Sequence, residues 1–259
     1  MLDTVIGVMP VGYTDSNGIH TDFEVRELTG ADEEVIASDK ENGAKLIRTI
    51  LERCCIRIGS LVRDSLVGNA NEQQKKWREI IGSLYAGDAD TIFLKIREVS
   101  FGKNIVVKQL CPYCKQEVFV EISLDDLKCR PFSGNLTIPF ELPKGLTFGD
   151  KLYKSGTLRT LTCSDREAVL AFAENDAVFT THIISRLVVD LDGIKLTPEL
   201  ARDLRFVDRQ YLVKKIAENH FGPTMLFDAQ CPHETCGKTF GGMLTHASLF
   251  RWEDRKSVV

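Results

Sequence analysis

Hydrophobic and polar positions follow the same succession of patterns in the two halves of the chain. Alternation such as that in Leu136–Leu142 predicts β-rich segments over Met9–Thr29 and Leu136–Thr162. Apolar side chains then recur at helical spacing, which predicts helices over Ala44–Val67 and Ala177–Val189. Each half is therefore expected to begin with strands and to continue with helices.

Shorter signals refine the helices and the segments that join them. The hydroxyls of Thr29 and Thr162 can cap helices that begin just after them. The last helix of each half, near 87–99 and 208–219, precedes a Phe-Gly pair whose glycine can form the C-cap, and a short apolar strand follows. The polar stretch 69–76 is predicted to be a solvated loop or a helix face.

Residue matches at nearly constant spacing indicate an internal duplication of the chain. Two unrelated helical segments with convergent patterning are the alternative interpretation. The matched segments are Ile96–Gly102 with Ile216–Gly222 (four of seven positions, 120 residues apart), Cys111-Pro112 with Cys231-Pro232 (also 120 apart), and Arg26–Thr29 with Arg159–Thr162 (133 apart).

The fold class that follows is α+β and internally duplicated. Each repeat is expected to have a β-rich start, helices and a cysteine knuckle. The first repeat would span 1–122, a connection 123–135, and the second repeat with a C-terminal tail 136–259. The apolar end of that tail, Leu249, Phe250 and Trp252, either docks on a neighbour or packs on the body.

The spacing of the eight cysteines divides them into two kinds. Cys111-Pro-Tyr-Cys114 and Cys231-Pro-His-Glu-Thr-Cys236 are short-spaced pairs, which in a reducing compartment are more typical of metal ligands than of disulfides. The remaining four are scattered and are expected to be small buried apolar side chains. These are Cys54, Cys55, Cys129 and Cys163.

The two pairs together can complete one structural zinc site. Zinc in such sites takes four ligands in a tetrahedron, and each knuckle supplies two. Strands predicted at 117–120 and 238–240 fit the hairpins of a zinc ribbon, and Gly237 and Gly241–Gly242 can adopt positive φ. Duplication explains why 116 residues separate the pairs, against about 15–20 in an ordinary ribbon. The predicted Zn²⁺ ligands, which would join the two halves, are Cys111, Cys114, Cys231 and Cys236.

Three other interpretations of these cysteines stay open. Cys111-Pro-Tyr-Cys114 could be a thioredoxin-like redox motif, although a strand-like alternation follows it where a βαβ unit is expected. The two pairs could form crossed disulfides, which would require an oxidising location. His233 could also replace one cysteine as a ligand.

Composition and motifs exclude several classes of function. Hydrophobic residues make up 43% of the 259 positions, and 33 basic residues against 37 acidic ones give a net charge of −4, which provides no general attraction for nucleic acid. No apolar run approaches the ~20 residues of a membrane span, and the start of the chain lacks the basic residues of a signal peptide, so we expect a protein made and kept in a cytoplasm. Catalytic signatures are absent and the histidines are dispersed, so we expect no enzyme. Acidic clusters at 32–34 and 125–126 are interpreted as solvated faces or first-turn charges.

The combination of these segments resembles the T4-type baseplate protein family of contractile-tailed bacteriophages. The resemblance lies in Phe23–Thr29, in Cys-Pro-x-Cys at 111–114, in the Val-x-Ile-x-Leu-x-x-Leu of Val120–Leu127, and in a second cysteine pair before an aromatic C-terminal end. It implies a non-enzymatic component of the baseplate hub, or a factor that assembles it. Other baseplate and tail proteins would be its partners, and the virion its location after synthesis in the host cytoplasm. The Cys-x4-Cys spacing and the 69–76 insertion depart from the family pattern.

A nucleic-acid-binding zinc-ribbon protein is the alternative from another class. Such a protein needs basic side chains clustered around its knuckles. Here acidic residues accompany the basic ones, so nucleic acid is the less favoured partner. The residues concerned are Lys108, Lys115, Lys128, Arg130 and Lys238, against Glu117, Glu121, Asp228 and Glu234.

Overall fold

The computed structural model describes residues 2–38, 43–245 and 248–250. The elements of its first half are β1 Thr4–Asp15, β2 Gly18–Arg26, α1 Gly30–Ser38, α2 Gly43–Cys54, β3 Cys55–Ile58, β4 Leu61–Val62, α3 Ala70–Ser83, α4 Ala86–Phe101, β5 Asn104–Leu110 and β6 Glu117–Ser123. Strand β7, Cys129–Arg130, follows in the connecting segment. The elements of the second half are β8 Thr137–Phe148, β9 Lys151–Arg159, α5 Cys163–Leu170, α6 Asp176–Leu187, β10 Val188–Leu191, α7 Pro198–Asp203, α8 Phe206–Glu218, β11 Gly222–Pro223, β12 Leu226–Gln230 and β13 Thr239–Met243.

The strands form several small antiparallel sheets, and with eight α-helices in the described residues the fold is mixed α+β. The first half has a four-stranded sheet in the order β1-β2-β3-β4, and the second half has a three-stranded sheet in the order β10-β9-β8. The hairpins β5-β6 and β12-β13 are separate two-stranded sheets, and β7 pairs with β11. No helix in the described part of the chain has both the length and the apolar character needed to cross a bilayer.

A buried carboxylate fixes the first sheet against α4. The β1-β2 ladder is irregular between Val8 and Tyr13, and this irregularity frees the backbone N–H groups of Val11 and Gly12. Both donate to the carboxylate of Asp88, at 3.0 Å each. Burial raises the pKa of Asp88 to about 6 in spite of these two hydrogen bonds, which lower it. Asp88 therefore supplies acceptors for two backbone N–H groups that lie in the irregular part of the ladder.

The apolar side chains form two clusters. The first contains the core of the first half together with the inward-facing residues of both cysteine hairpins, and the second contains the body of the second half. Between them, Arg166 on α5 forms a bidentate ion pair with Asp90 on α4, at 2.6 and 2.8 Å. The N–H of Ala86 donates to the carbonyl of Leu161 across the same boundary. The two halves are thus joined by packing and polar contacts as well as by the hairpins.

Two predicted helices extend too far. The helix predicted over Ala44–Val67 ends at Cys54, and the one over Ala177–Val189 ends at Leu187. In each case the next four residues form a strand, β3 or β10, that pairs with the preceding hairpin. The pairing supplies backbone hydrogen bonds that local helical periodicity cannot reveal.

Other local predictions have mixed outcomes. The stretch 69–76 is mostly the first half of α3, whose N-terminus carries a reciprocal capping box between Asn69 and Glu72. Thr162 caps α5 as expected. Gly102 caps α4 with φ 78°, but the prediction for Gly222 was wrong, since α8 ends at Glu218 and Gly222 opens β11.

The C-terminal residues that the structure describes pack on the body. Leu249 is 2% exposed, and the ring of Phe250 lies edge-on to that of Phe93, with centroids 4.8 Å apart. Docking of these two side chains on a neighbour is therefore ruled out in this conformation. Trp252, which shared that prediction, lies outside the described residues.

Candidate metal centre

Each predicted cysteine pair lies in the turn of a hairpin. In the first, the N–H of Cys111 donates to the carbonyl of Gln116 at 2.9 Å; in the second, the N–H of Cys231 donates to that of Lys238 at 3.0 Å. The residue that follows the second cysteine of each pair is left-handed, with φ 60° at Lys115 and 56° at Gly237. The two turns are thus alike in backbone bonding, although the second contains two more residues between its cysteines.

The four sulfur atoms converge on one point. Cys111 Sγ lies 3.8 Å from Cys236 Sγ, Cys114 Sγ lies 3.8 Å from Cys231 Sγ, and all four are within 4.8 Å of one another. In a regular tetrahedron with zinc–sulfur bonds of about 2.3 Å, the sulfurs are about 3.8 Å apart. Bonded disulfide sulfurs are only about 2.05 Å apart, so crossed disulfides do not describe this arrangement. All eight cysteines of the chain are free thiols here.

Apolar side chains from all four hairpin strands belong to the same buried cluster as the cysteines. Cys111 is fully buried and Cys231 is 3% exposed, whereas Cys114 and Cys236 are half-buried. The inward-facing residues of the strands belong to the same hydrophobic cluster as the cysteines. They are Ile105, Val107, Val118, Val120, Ile122, Phe227, Ala229 and Phe240. The four sulfurs thus lie where the two hairpins meet, and one thiol of each pair is nearer to solvent than the other.

The sulfurs influence one another's ionisation. Burial alone would raise the pKa of Cys111, but hydrogen bonds from the backbone N–H groups of Cys114 and Tyr113 and from neighbouring thiols lower its pKa to about 6. Burial and the neighbouring sulfurs raise the pKa of Cys231 to about 12. One thiolate forms readily, and its charge then opposes ionisation of the next. A bound cation would remove this repulsion, because four thiolates need a positive charge among them.

Residues around the cluster take roles that differ from some expectations. The carbonyl of His233 accepts the N–H groups of Cys236 and Gly237, so this residue contributes backbone to the turn, while the four-sulfur group contains no imidazole. Gly241 and Gly242 do not provide positive φ; they lie within β13, and a Cβ on Gly242 would come 2.3 Å from a ring carbon of Phe227. The small side chain is needed for close approach of that ring.

One contact between the two turns could not be predicted from the sequence. The ammonium group of Lys238 lies 4.9 Å from the centre of the Tyr113 ring, so a cation–π contact joins the second knuckle to the first. Tyr113 is 53% exposed. Its position between two cysteines gives no indication that Lys238, far away in the sequence, will contact its ring.

The scattered cysteines do not join the cluster. Cys54, Cys55 and Cys163 are buried as expected, and burial raises the pKa of the first two to about 12 and of the third to about 11. Cys129 was predicted to be buried but is exposed. It lies in the two-residue strand β7, whose side chains project away from both cores.

The acidic clusters are likewise not all solvated. Asp32 is 1% exposed and lies in the first turn of α1, where Arg26 and Arg53 hold it, so the first-turn interpretation is confirmed and the solvated-face interpretation does not apply. Asp125, by contrast, is exposed and pairs with Lys103 at 2.8 Å.

Comparison with known proteins identifies one family. A family model described as "T4 bacteriophage base plate protein" matches residues 15–147, just over half of the chain. The matched range contains Cys111 and Cys114 but neither Cys231 nor Cys236. Searches of curated proteins and of solved structures each give no significant match.

Proposed function

The chain belongs to the T4 bacteriophage baseplate protein family, and from this membership we propose that it is a non-enzymatic structural or assembly component of the hub region of a contractile-tail baseplate. Membership implies a structural role in a phage baseplate, a virion location and other phage proteins as partners. The proposal adds the hub region, and tail and baseplate proteins as direct neighbours. The family match is the observation that carries it.

The four cysteines would hold a structural Zn²⁺. The fit of the 3.8 Å sulfur separations to a zinc tetrahedron supports this, as does the apolar environment of Cys111 and Cys231. Four thiolates fill the coordination shell, so the ion would supply cross-linking without an open position for catalysis. Its effect would be to keep the two hairpins, and with them the two halves, in one fixed relation.

We further propose that the body arose by duplication, with repeats 1–122 and 136–259 and a connection 123–135. Matching sheet registers support this. In β2-β3, Phe23 lies opposite Ile58; in β9-β10, Gly156 lies opposite Leu191, and both partners are 133 residues further along. The irregularity between Val8 and Tyr13 recurs, again 133 residues on, in the β8-β9 ladder.

An ion-pair network around a buried aspartate also recurs at the same spacing. In each half an aspartate in the first helical turn accepts hydrogen bonds from two arginines and from the threonine before the helix. The threonine hydroxyl lies 2.8 Å from the carboxylate in both halves. The members are Arg26, Thr29, Asp32 and Arg53 in the first half and Arg159, Thr162, Asp165 and Arg186 in the second. This network gives a physical reason for the resemblance between Arg26–Thr29 and Arg159–Thr162.

The nucleic-acid alternative has less support. A nucleic-acid surface needs basic side chains free to contact phosphates. Near the knuckles Lys108 pairs with Glu117 at 2.9 Å and Lys128 pairs with Asp228 at 2.8 Å. These pairings leave the hairpin surface with compensated charge.

The decisive experiment is genetic and uses the phage itself. Deleting the coding sequence should yield particles or tails that lack a complete baseplate, and supplying the chain in trans should restore them. Mass spectrometry of purified virions then separates the two forms of the proposal, since a structural component remains in the particle and an assembly factor does not. Normal tails from the deletion mutant, or strong salt-dependent DNA binding by the purified chain, would contradict the proposal.

A further inference from the structure

Within the described residues, strand β1 pairs with a neighbour on one side only, and alternate backbone groups point outward from its other, free edge. It is an end strand of the four-stranded sheet, and its regular pairing with β2 runs from Thr4 to Val8. The carbonyl of Asp3 accepts the N–H of Glu27, so odd-numbered positions of this segment face β2. Because backbone direction alternates along an antiparallel strand, Thr4, Ile6 and Val8 direct their N–H and C=O groups to the free side.

Two of these three side chains, those of Ile6 and Val8, are apolar and exposed. Ile6 is 62% exposed and Val8 is 66% exposed, on the face of the sheet opposite the core. Natural proteins usually protect such an edge with proline or charge. An open edge with β-branched side chains is suited to pairing with another strand.

The free edge in the second half is protected in this way. Strand β8 is also an end strand, and its register with β9 matches that of β1 with β2. At the ladder position of Ile6 it has Pro139, and at that of Val8 it has Glu141; both are exposed. At these two ladder positions the edge of β8 is blocked and that of β1 is open; Pro10 of β1 lies beyond them, in the irregular stretch after Val8.

We propose that the open edge of β1 pairs with β1 of a second copy of this chain, antiparallel and about a twofold axis through Ile6. This axis places Ile6 opposite Ile6 of the second copy, and Thr4 opposite Val8. All these residues are β-branched, so the exposed segment is complementary to itself. The two four-stranded sheets become one continuous sheet, and the outward N–H and C=O groups at these positions exchange hydrogen bonds.

Charges on the neighbouring strand β2 are compatible with this pairing of the two β1 strands. On β2, Arg26 lies beside Thr4 and Asp22 beside Val8. The twofold axis therefore puts Arg26 of one copy in the same row as Asp22 of the other. Glu24, beside Ile6, and Asp22 are both paired with Arg57, so the joint brings no uncompensated like charges together.

The small area of the paired β1 edges sets the expected affinity of the dimer. A short edge ladder covers less than the ~1,200–2,000 Å² typical of stable complexes, so the association is concentration-dependent. The full zinc-loaded chain should therefore sediment as a monomer at low micromolar concentration and increasingly as a dimer toward about 200 μM.

Substitutions of opposite charge at Ile6, the residue on the twofold axis, test the proposal. Because residue 6 faces its own copy, Ile6→Lys and Ile6→Glu should each abolish the dimer, and mixing the two variants should restore a heterodimer. The matched control is Ile19→Lys at an equally exposed apolar position, 68% exposed, near the far end of the hairpin; it should dimerise like the parent chain. Monomer at every concentration, a dimer that survives Ile6→Lys, or no rescue on mixing would overturn the proposal.

A cross-link gives an independent measurement. Opposite residues in a hydrogen-bonded antiparallel pair have Cα atoms about 5.5 Å apart, within the range that a disulfide spans. In a Cys129→Ser background, which removes the exposed native thiol, Ile6→Cys should form a covalent dimer under mild oxidation and Ile19→Cys should not. Equal cross-linking of the two variants would contradict the pairing.

Discussion

The replacement Cys231→Ser tests whether the sulfur cluster fastens the two halves together. Cys231 is 3% exposed, and its sulfur lies 3.8 Å from that of Cys114, 117 residues earlier in the chain. Serine is nearly the same size, so packing around residue 231 changes little. The variant therefore removes one thiolate ligand while leaving the hydrophobic contacts between the hairpins.

The length of the closed loop sets the expected magnitude. Closing a loop of 117 residues in the unfolded chain corresponds to about 5 kcal/mol in the chain-entropy treatment of cross-links. For a chain of this size, a loss of about 5 kcal/mol lowers the midpoint of thermal unfolding by roughly 10–20 °C. Metal affinity for the folded state would add to this difference when zinc is in excess.

The assay combines metal analysis with unfolding in the presence and absence of a chelator. The parent chain should contain one zinc per molecule and should lose stability when the chelator removes it. Cys231→Ser should contain little zinc, should already have the lower stability, and should respond little to the chelator. The matched control is Cys129→Ser, at an exposed cysteine outside the cluster, which should behave like the parent chain.

Two results would refute this reasoning. The parent chain, purified under reducing conditions with zinc present during expression, could contain no tightly bound metal. Alternatively, the chelator could lower the stability of Cys231→Ser as much as that of the parent chain, which would show that any metal effect arises elsewhere. Either result would show that a metal ion bound by these four cysteines does not hold the two halves together.

Three further substitutions probe the body and the hairpins. Asp165→Asn should cost about 1–3 kcal/mol of unfolding free energy at pH 7, because two arginines donate to this buried carboxylate. Those hydrogen bonds lower the pKa of Asp165 despite its burial, so its contribution is present above the unfolded pKa and is lost on acidification; urea titrations at pH 7 and pH 3 should show the difference between parent and variant shrinking, and a constant difference would contradict this. Arg166→Met should cost about 3–5 kcal/mol because it leaves the buried Asp90 without its guanidinium, and Asp90→Leu in the same chain should recover part of the loss; no recovery would mean that the ion pair is not the cause. Gly242→Ala should cost about 1–3 kcal/mol in thermal unfolding, because the new methyl group would lie 2.3 Å from a ring carbon, whereas Gly241→Ala, with its nearest neighbour at 3.6 Å, should be tolerated; equal effects would contradict the close-approach argument.

Predictions from the sequence succeeded where neighbouring residues alone determine the local structure. The alternating residues of 117–120 lie in β6, and Thr162 caps α5, because neighbouring residues are sufficient to define these features. Cysteine spacing identified all four members of the sulfur cluster in the same way. Two thiols at short spacing can bind one ion, and a single pair leaves that ion half-coordinated.

Predictions failed where a distant partner decides the local structure. Helical periodicity over Ala44–Val67 did not reveal that the chain leaves the helix after Cys54, since β3 forms only because β2 lies beside it. For Asp32 and Leu249 the sequence left two alternatives open, and the structure decided between them: Asp32 is buried beside Arg53, 21 residues away, and Leu249 is buried in the core of the first half. Neither partner can be identified from local composition.

The sequence by itself indicated strands at the start of each half of the chain, helices after them, and the identity of the four sulfur atoms that come together, because each depends on residue types and short spacings. Tertiary structure alone decided that the four sulfurs come within 4.8 Å of one another, that the hairpins share one core, and that the end strand β1 exposes Ile6 and Val8 whereas the end strand β8 exposes Pro139 and Glu141. These features depend on how segments more than 100 residues apart lie against one another. Distances of that kind are set by packing of the whole chain and are not encoded in any local pattern.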